Sequence, residues 1–111
     1  MGLSKTELFS PDQNELARVA KAFAHPARIA ILQYLLKSNS CINGTLVQEL
    51  GLAQATISQH LRELKEIGLI KGTIEGASVS YCIDSHNWDN VKSLFNELFD
   101  QFDSCEGGNC C

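Results

Sequence analysis

Residues 52–83 decide the fold, and they read LAQATISQHLRELKEIGLIKGTIEGASVSYCI. Four apolar side chains recur there at the spacing of one helix face, namely Ile57, Leu61, Leu64 and Ile67. Gly68 follows as a helix stop, and two strand-like runs, residues 69–74 and 78–83, are joined by a short glycine-containing turn. The stretch therefore predicts a helix over residues 54–67 followed by a two-stranded hairpin.

Further helices flank this stretch on both sides. Helical spacing of apolar residues predicts them over residues 11–24, 26–37, 45–50 and 88–102. The first begins at a capping box formed by Ser10 and Gln13, with Pro11 in the first turn. Residues 51–53 supply the short glycine-containing turn of a helix-turn-helix. The predicted fold is mainly α with a β-hairpin wing, a winged helix-turn-helix in the order α-α-α-α-β-β-α.

Length and charge limit the classes of protein to consider. A chain of 111 residues holds one domain, which we predict over residues 1–103, followed by a flexible cysteine-rich tail over residues 104–111. The net charge of −4 lies in residues 86–111, where one lysine stands against five acidic residues. Residues 1–85 are neutral, so the overall acidity leaves room for local phosphate binding. Because no apolar run has the length of a membrane span and the start lacks a signal-peptide core, we expect a cytoplasmic protein without a membrane partner.

The 54–67 helix carries polar side chains opposite its apolar face. Those suited to DNA bases are Gln54, Thr56, Ser58, Gln59 and Arg62. Glutamine can pair with adenine and arginine with guanine, while Lys65 and Lys71 are placed for phosphates. Taken alone, these residues are better explained by an ordinary solvated surface, which is the usual reason for such side chains. The glycine stop, the hairpin and the upstream helix together favour double-stranded DNA as the partner.

A second motif lies upstream, where residues 21–35 read KAFAHPARIAILQYL. Together with residues 52–76 it resembles the ArsR/SmtB family of winged-helix, metal-responsive repressors, and the similarity covers residues 11–102. The resemblance implies a homodimer with the first and last helices at its interface, and repression of metal-resistance operons that ends when an ion binds. It also places the five base-reading side chains in the major groove and residues 71–81 on the wing.

The final predicted helix supports a homodimer on physical grounds. Its apolar stripe consists of Val91, Leu94, Phe95, Leu98, Phe99 and Phe102. This is more apolar surface than a small chain readily covers, although closing the monomer core is the alternative. A two-fold dimer matches a palindromic operator whose half-sites lie one helical turn apart.

Three cysteines near the end of the chain are the candidate sensor. Cys105, Cys110 and Cys111 flank the flexible pair Gly107-Gly108 and offer three thiolates, which soft metals and metalloids prefer. A pyramid of three sulfurs suits trivalent arsenic or antimony, so arsenite or antimonite is the expected inducer, with another soft metal ion as the alternative. A functionless tail and a thiol-oxidation response remain open readings of the same cluster.

The other candidate ligands are weaker. In a cytosolic chain the cysteines are expected to be reduced thiols rather than disulfides. Cys41 keeps the first thiol of the family's C-x-C site, but Asn43 stands at the second; Cys41 and Cys82 are an alternative soft-metal site. The family's zinc site is echoed, one residue out of frame, by Asp84, His86, Glu97 and Asp100. His25 and His60 are expected to pack or to face solvent.

Other classes of function have less support. The sequence has no phosphate loop, no C-x-x-C motif and no zinc-protease spacing, so we expect no enzyme, and DNA binding should need no cofactor. An interaction module built on the phenylalanine-rich last helix is the remaining alternative.

Overall fold

The structure is a computed structural model that describes residues 7–38, 41–42, 50–75 and 78–102. The helices and strands in these ranges are α1 (Pro11–Ala22), α2 (Pro26–Ser38), α3 (Gln54–Ile67), β1 (Ile70–Glu75), β2 (Ser78–Ile83) and α4 (Ser85–Phe99). The predicted fold class, mainly helical with an antiparallel hairpin, is confirmed. The predicted helix over residues 45–50 lies outside the described residues except for Leu50, which is helical.

The ends of α1 follow local hydrogen bonding. The predicted capping box is confirmed, because the Gln13 backbone N–H donates to Ser10 Oγ at 3.1 Å and the Ser10 N–H donates to Gln13 Oε1 at 2.9 Å. The helix ends at Ala22, two residues earlier than predicted. Phe23 is its C-cap, and the Phe23 N–H turns back to the carbonyls of the last helical turn.

Gly68 ends α3 and directs the chain into the hairpin. Its φ of 93° lies in the left-handed region that glycine adopts without a steric penalty. The N–H groups of Gly68 and Leu69 both donate to the Leu64 carbonyl, at 3.1 and 3.0 Å. Asn87 Nδ2 donates to the Gly68 carbonyl at 2.7 Å, and a Cβ at position 68 would meet that same nitrogen at 2.6 Å. Glycine is therefore required here both by the backbone and by the close approach of Asn87.

The hairpin pairs β1 with β2 in an antiparallel register that sets Lys71 opposite Cys82. β2 has the predicted bounds, whereas β1 begins and ends one residue later than predicted. On the other side of β2, Ile42 forms an isolated antiparallel bridge with Tyr81. The two residues exchange both backbone hydrogen bonds, at 3.0 and 2.8 Å. The segment that follows α2 is therefore held against the outer edge of the hairpin.

This bridge overturns the expectation that all five cysteines are free thiols. Because Ile42 pairs with Tyr81 in an antiparallel sense, Cys41 lies opposite Cys82, and the two are joined by a disulfide with a Cα–Cα distance of 4.4 Å. That distance is typical of a directly opposed pair without its own backbone hydrogen bonds. The sequence prediction failed because it considered the redox compartment and had no information on this register.

The core lies where α1, α2, α3 and the hairpin meet. Its buried side chains are Val19, Ala22, Ile31, Leu32, Leu35, Ile57, Leu61, Leu64, Leu69, Ile70 and Val91. They include the three α3 residues that the sequence placed on its apolar face, while Ile67 is half-buried. No helix in the described ranges is both long and apolar enough to cross a bilayer.

The last helix, α4, is only partly covered by the rest of the monomer. It begins at Ser85, three residues before the predicted start, because Asp84 caps it by accepting from the Asn87 N–H at 3.2 Å. It ends at Phe99 rather than at residue 102. Of its predicted apolar stripe, Val91 is buried and Leu94 and Phe95 are half-buried. The C-terminal part of the stripe stays exposed, namely Leu98, Phe99 and Phe102.

Candidate nucleic-acid interface

One face of α3 is buried and the opposite face is open. Ile57 and Leu64 are at most 1% exposed. The predicted DNA-reading side chains lie on the other side of the helix: Gln54, Thr56, Gln59, Arg62 and Lys65 are exposed, and Ser58 is half-buried. Lys71, the second predicted phosphate contact, is exposed on β1. The structure thus brings the predicted base and phosphate contacts to the outer surface of α3 and the adjoining strand.

The first turn of α3 carries one side-chain hydrogen bond and lacks a side-chain cap. Gln54 Nε2 donates to Ser58 Oγ at 3.1 Å, which holds the Gln54 side chain along the helix. The N-cap residue is Ala53, and no side chain caps the helix there. The first backbone N–H groups therefore remain directed outward, where the positive end of the helix dipole favours a phosphate.

The inner face of α3 carries a polar network that the sequence did not predict. His60 is only 8% exposed, and its Nδ1 accepts from Arg28 Nε at 3.2 Å. Arg28 also forms an ion pair with Glu63, one helical turn further along α3. On its other side, Arg28 Nη1 lies 3.5 Å from the Ala22 carbonyl. One α2 guanidinium thus connects the end of α1 with two side chains of α3.

The protonation of His60 follows from this environment. Its pKa is lowered, first by burial and then by the nearby His25 and by the Arg28 guanidinium. The His25 and His60 rings lie 4.4 Å apart between centroids. A neutral imidazole keeps the Nδ1 lone pair that accepts from Arg28, so the hydrogen bond and the lowered pKa describe the same state. The network thus adds polar contacts between α2 and the inner face of α3, beside the apolar packing of that helix.

The predicted metal ligands are placed differently. Cys105, Cys110 and Cys111 lie outside the described residues. Over the ranges that the structure describes, no three or more histidine, cysteine or acidic side chains come together in a way that could hold a metal ion. The four residues that resemble the family's zinc site are therefore not brought together as a metal site; they are Asp84, His86, Glu97 and Asp100.

The arrangement of α2, the helix-turn-helix and the first strand matches known proteins. Residues 25–71 match a family profile described as bacterial regulatory protein, arsR family. An uncharacterized HTH-type transcriptional regulator of Methanocaldococcus jannaschii is 35% identical over 82 residues, which cover 74% of this chain and 92% of that protein. The chain belongs to the arsR family. The family resemblance inferred from the sequence is thereby confirmed.

Two further similarities extend the comparison of this arsR-family chain. The HTH-type transcriptional regulator CmtR of Mycobacterium tuberculosis is 41% identical over 75 residues, or 67% of this chain. The match spans 63% of CmtR, less than two thirds of its length. The structure of HlyU from Vibrio cholerae superposes with a TM-score of 0.65 at 29% identity, over 84% of this chain and all of that one. The family profile is described as a regulatory protein, and CmtR is named a transcriptional regulator. The prediction that the chain is not an enzyme is therefore confirmed.

Proposed function

We propose that this chain is a homodimeric transcriptional repressor that binds a palindromic operator and releases it when a thiophilic metal or metalloid binds. The observation that carries the proposal is the exposed polar face of α3, held over a buried apolar face and beside the hairpin. Trivalent arsenic or antimony is the proposed inducer, and Cys105, Cys110 and Cys111 are its proposed ligands. We propose that the repressor acts in the cytoplasm.

The DNA contacts divide into two kinds. In the major groove, the side chains that read base edges are proposed to be Gln54, Thr56, Ser58, Gln59 and Arg62. Lys65 and Lys71 contact phosphates, which fixes the position of the protein without reading sequence. Loss of Arg62 would therefore relax sequence preference at one base pair, whereas loss of Lys65 would weaken binding to all sequences.

The dimer surface is proposed to be the uncovered part of α4 together with the residues before α1. Phe99 and Phe102 are 65% and 68% exposed, and Leu8 and Phe9 before α1 are also exposed. A cavity of about 320 Å³ between α1 and α4 is lined by Phe23, among others. A second copy of the chain would cover this apolar surface and set two α3 helices at a half-site spacing.

The sensor is proposed to act through α4. Cys105 follows the last described residue by only three positions in the sequence, so the tail thiolates are joined to the proposed dimer helix by a short segment of chain. Ordering the tail would shift that helix in one subunit against the other. Allosteric coupling of about 1–3 kcal/mol would weaken operator binding about 5- to 150-fold.

The test is a binding titration on the DNA upstream of the chain's own gene. The reduced protein should shift this DNA, and arsenite or antimonite should reverse the shift. A variant with Cys105, Cys110 and Cys111 all changed to serine should bind the DNA normally and ignore arsenite; the matched control, Cys41→Ser with Cys82→Ser, should keep the response to arsenite. Arsenite release that persists in the tail variant would overturn the ligand assignment. Release by cadmium or zinc alone would replace the proposed inducer.

A further inference from the structure

The Cys41–Cys82 disulfide is a covalent link at a position that the proposed sensor does not use. It joins the segment after α2 to the end of β2 that lies farthest from the hairpin turn, next to the Ile42–Tyr81 bridge. The bridge aligns the two cysteines as opposed residues, so the thiols of the reduced chain would still face each other. The two side chains are therefore positioned to form and break one bond without any rearrangement of the strands.

The link encloses the part of the chain proposed to read DNA. Its cysteines are separated by 41 positions, and α3, β1 and the hairpin turn lie between them. By contrast, α1 and α2 precede Cys41 and α4 follows Cys82. The bond thus connects the entry to the helix-turn-helix directly with the base of the hairpin.

The two cysteine residues differ in exposure. Cys41 is exposed, whereas Cys82 is only 9% exposed. Together with Lys71, Trp88 and Asp89, both cysteines line an open cavity of about 400 Å³. A small molecule can enter this cavity. One ammonium, that of Lys71, and one carboxylate, that of Asp89, thus line the cavity that a peroxide would enter. This places an attackable thiol at the surface and a resolving thiol behind it.

We propose that Cys41 and Cys82 form a reversible thiol–disulfide switch, that a hydroperoxide closes it, and that closing it weakens binding to operator DNA. The Cys41 thiolate attacks the peroxide O–O bond, forming a sulfenic acid and releasing one molecule of water from hydrogen peroxide. The Cys82 thiolate then attacks that sulfur, the S–S bond forms, and the hydroxyl leaves as a second water. Two thiols lose two electrons and two protons, and the peroxide is reduced to two waters. A small dithiol reverses the step by thiol–disulfide exchange.

The effect on DNA follows from the location of the bond. In the proposed complex α3 enters the major groove while the hairpin lies along the neighbouring backbone, and any adjustment between these two parts on docking would have to move the segment that carries Cys41. The disulfide fixes the start of the helix-turn-helix against the hairpin at the angle of the free protein. The closed switch should therefore bind operator DNA less tightly than the open one, by a factor within the 5- to 150-fold range of allosteric coupling. This step rests on the DNA-binding function proposed above.

The experiment measures operator affinity by fluorescence anisotropy in a variant whose three tail cysteines are serine, so that only Cys41 and Cys82 can react. Hydrogen peroxide should weaken binding at least 5-fold, dithiothreitol should restore it, and peptide mass mapping should find the Cys41–Cys82 crosslink with the loss of two hydrogen atoms. Trp88, the only tryptophan of the chain, lines the same cavity, so its fluorescence should change with the same dose of peroxide. Adding Cys41→Ser or Cys82→Ser should abolish all three responses.

The outcomes separate this proposal from the proposed function. If the reduced variant fails to bind the DNA, the DNA-binding function itself is overturned, and the effect of the switch falls with it. If the reduced variant binds, the response to peroxide tests the switch independently of the DNA-binding function. A crosslink that leaves affinity unchanged, or tightens it, overturns the switch, and so does weakening by peroxide in the Cys41→Ser variant.

Discussion

His60 lies on the inner face of α3 as a neutral imidazole, and its surroundings make the stability of the fold depend on pH. The groups that face it are His25, the Arg28 guanidinium and, through Arg28, the Glu63 carboxylate. Burial and the positive neighbours lower its pKa. A proton on Nδ1 would also remove the acceptor that Arg28 uses, so the folded state resists protonation more strongly than the unfolded chain does.

We expect the free energy of unfolding to fall as the pH drops below about 6.5, the ordinary histidine pKa. Between that value and the lowered folded pKa, the unfolded chain binds more protons than the folded one, so stability rises with pH across this window. The contribution is complete above the window and lost below it. Urea unfolding of wild type and His60→Gln at a series of pH values, at one protein concentration, measures it.

His86→Gln is the matched control for this prediction, because His86 is an exposed residue on α4. The control should keep the wild-type slope of stability against pH, whereas His60→Gln should flatten it. Equal slopes in wild type and His60→Gln would show that the buried histidine contributes nothing to the pH dependence.

Single residues also show which features of the candidate site could be predicted from the sequence alone. The outward face of α3 was predicted because a helix period places Gln59 and Arg62 opposite Ile57 and Leu64, and that is a local property. The partners Arg28 and His60 are 32 positions apart and meet only through the packing of α2 on α3. No periodicity carries that information, so the network under the predicted interface was missed.

At the scale of elements, Arg28 is the main polar connection between α2 and α3. Its side chain is 17% exposed and that of Glu63 38%, so the guanidinium is shielded from solvent while the carboxylate remains partly hydrated. Arg28→Met keeps most of the apolar stem but leaves the His60 acceptor and the Glu63 carboxylate without their donor. Leaving the buried His60 acceptor unsatisfied costs about 1–3 kcal/mol of stability, whereas the exposed part of the Glu63 carboxylate can bind water. We expect a loss of that size in urea unfolding, together with weaker operator binding because α3 is less firmly held.

Arg18→Met provides the control, since Arg18 pairs with Glu15 within α1 at 2.6 Å and both side chains are more than 40% exposed. Exposed pairs of this kind contribute about 0–1 kcal/mol. The prediction is contradicted if the two variants lose equal stability, because the pair between α2 and α3 would then be no stronger than a surface pair within one helix.

Element boundaries show which parts of the fold were readable. Helices with a proline at the first position and an apolar period were predicted at their observed starts, as with Pro11 and Pro26. The start of α4 was predicted too late, because its first turn is set by the Asp84 cap and has no apolar residue before Trp88. The edge contact between Ile42 and Tyr81 depends on how α2 sits against the hairpin, and the sequence gives no period for it.

For the whole molecule, the uncovered end of α4 leads to a prediction about assembly. Phe99 is 65% exposed, and its ring stacks on that of Phe95 at a centroid distance of 6.1 Å. Within one chain the Phe99 side chain therefore contributes little to the packing of the core. In the proposed dimer it is an aromatic anchor, and losing such an anchor costs about 2 kcal/mol or more of association free energy.

Phe99→Glu should weaken dimerisation by at least roughly 30-fold, since each 1.4 kcal/mol is a factor of ten. Operator affinity should fall with it, because a monomer contacts only one half-site. Sedimentation equilibrium measures the first effect and anisotropy the second, with circular dichroism to check that the helices remain. The control is Leu36→Glu, which places the same charge on an exposed leucine of α2 and should leave the dimer intact. A Phe99→Glu protein that still sediments as a dimer would move the interface away from α4, and a dimer lost equally in both variants would mean that added charge, rather than this surface, controls assembly.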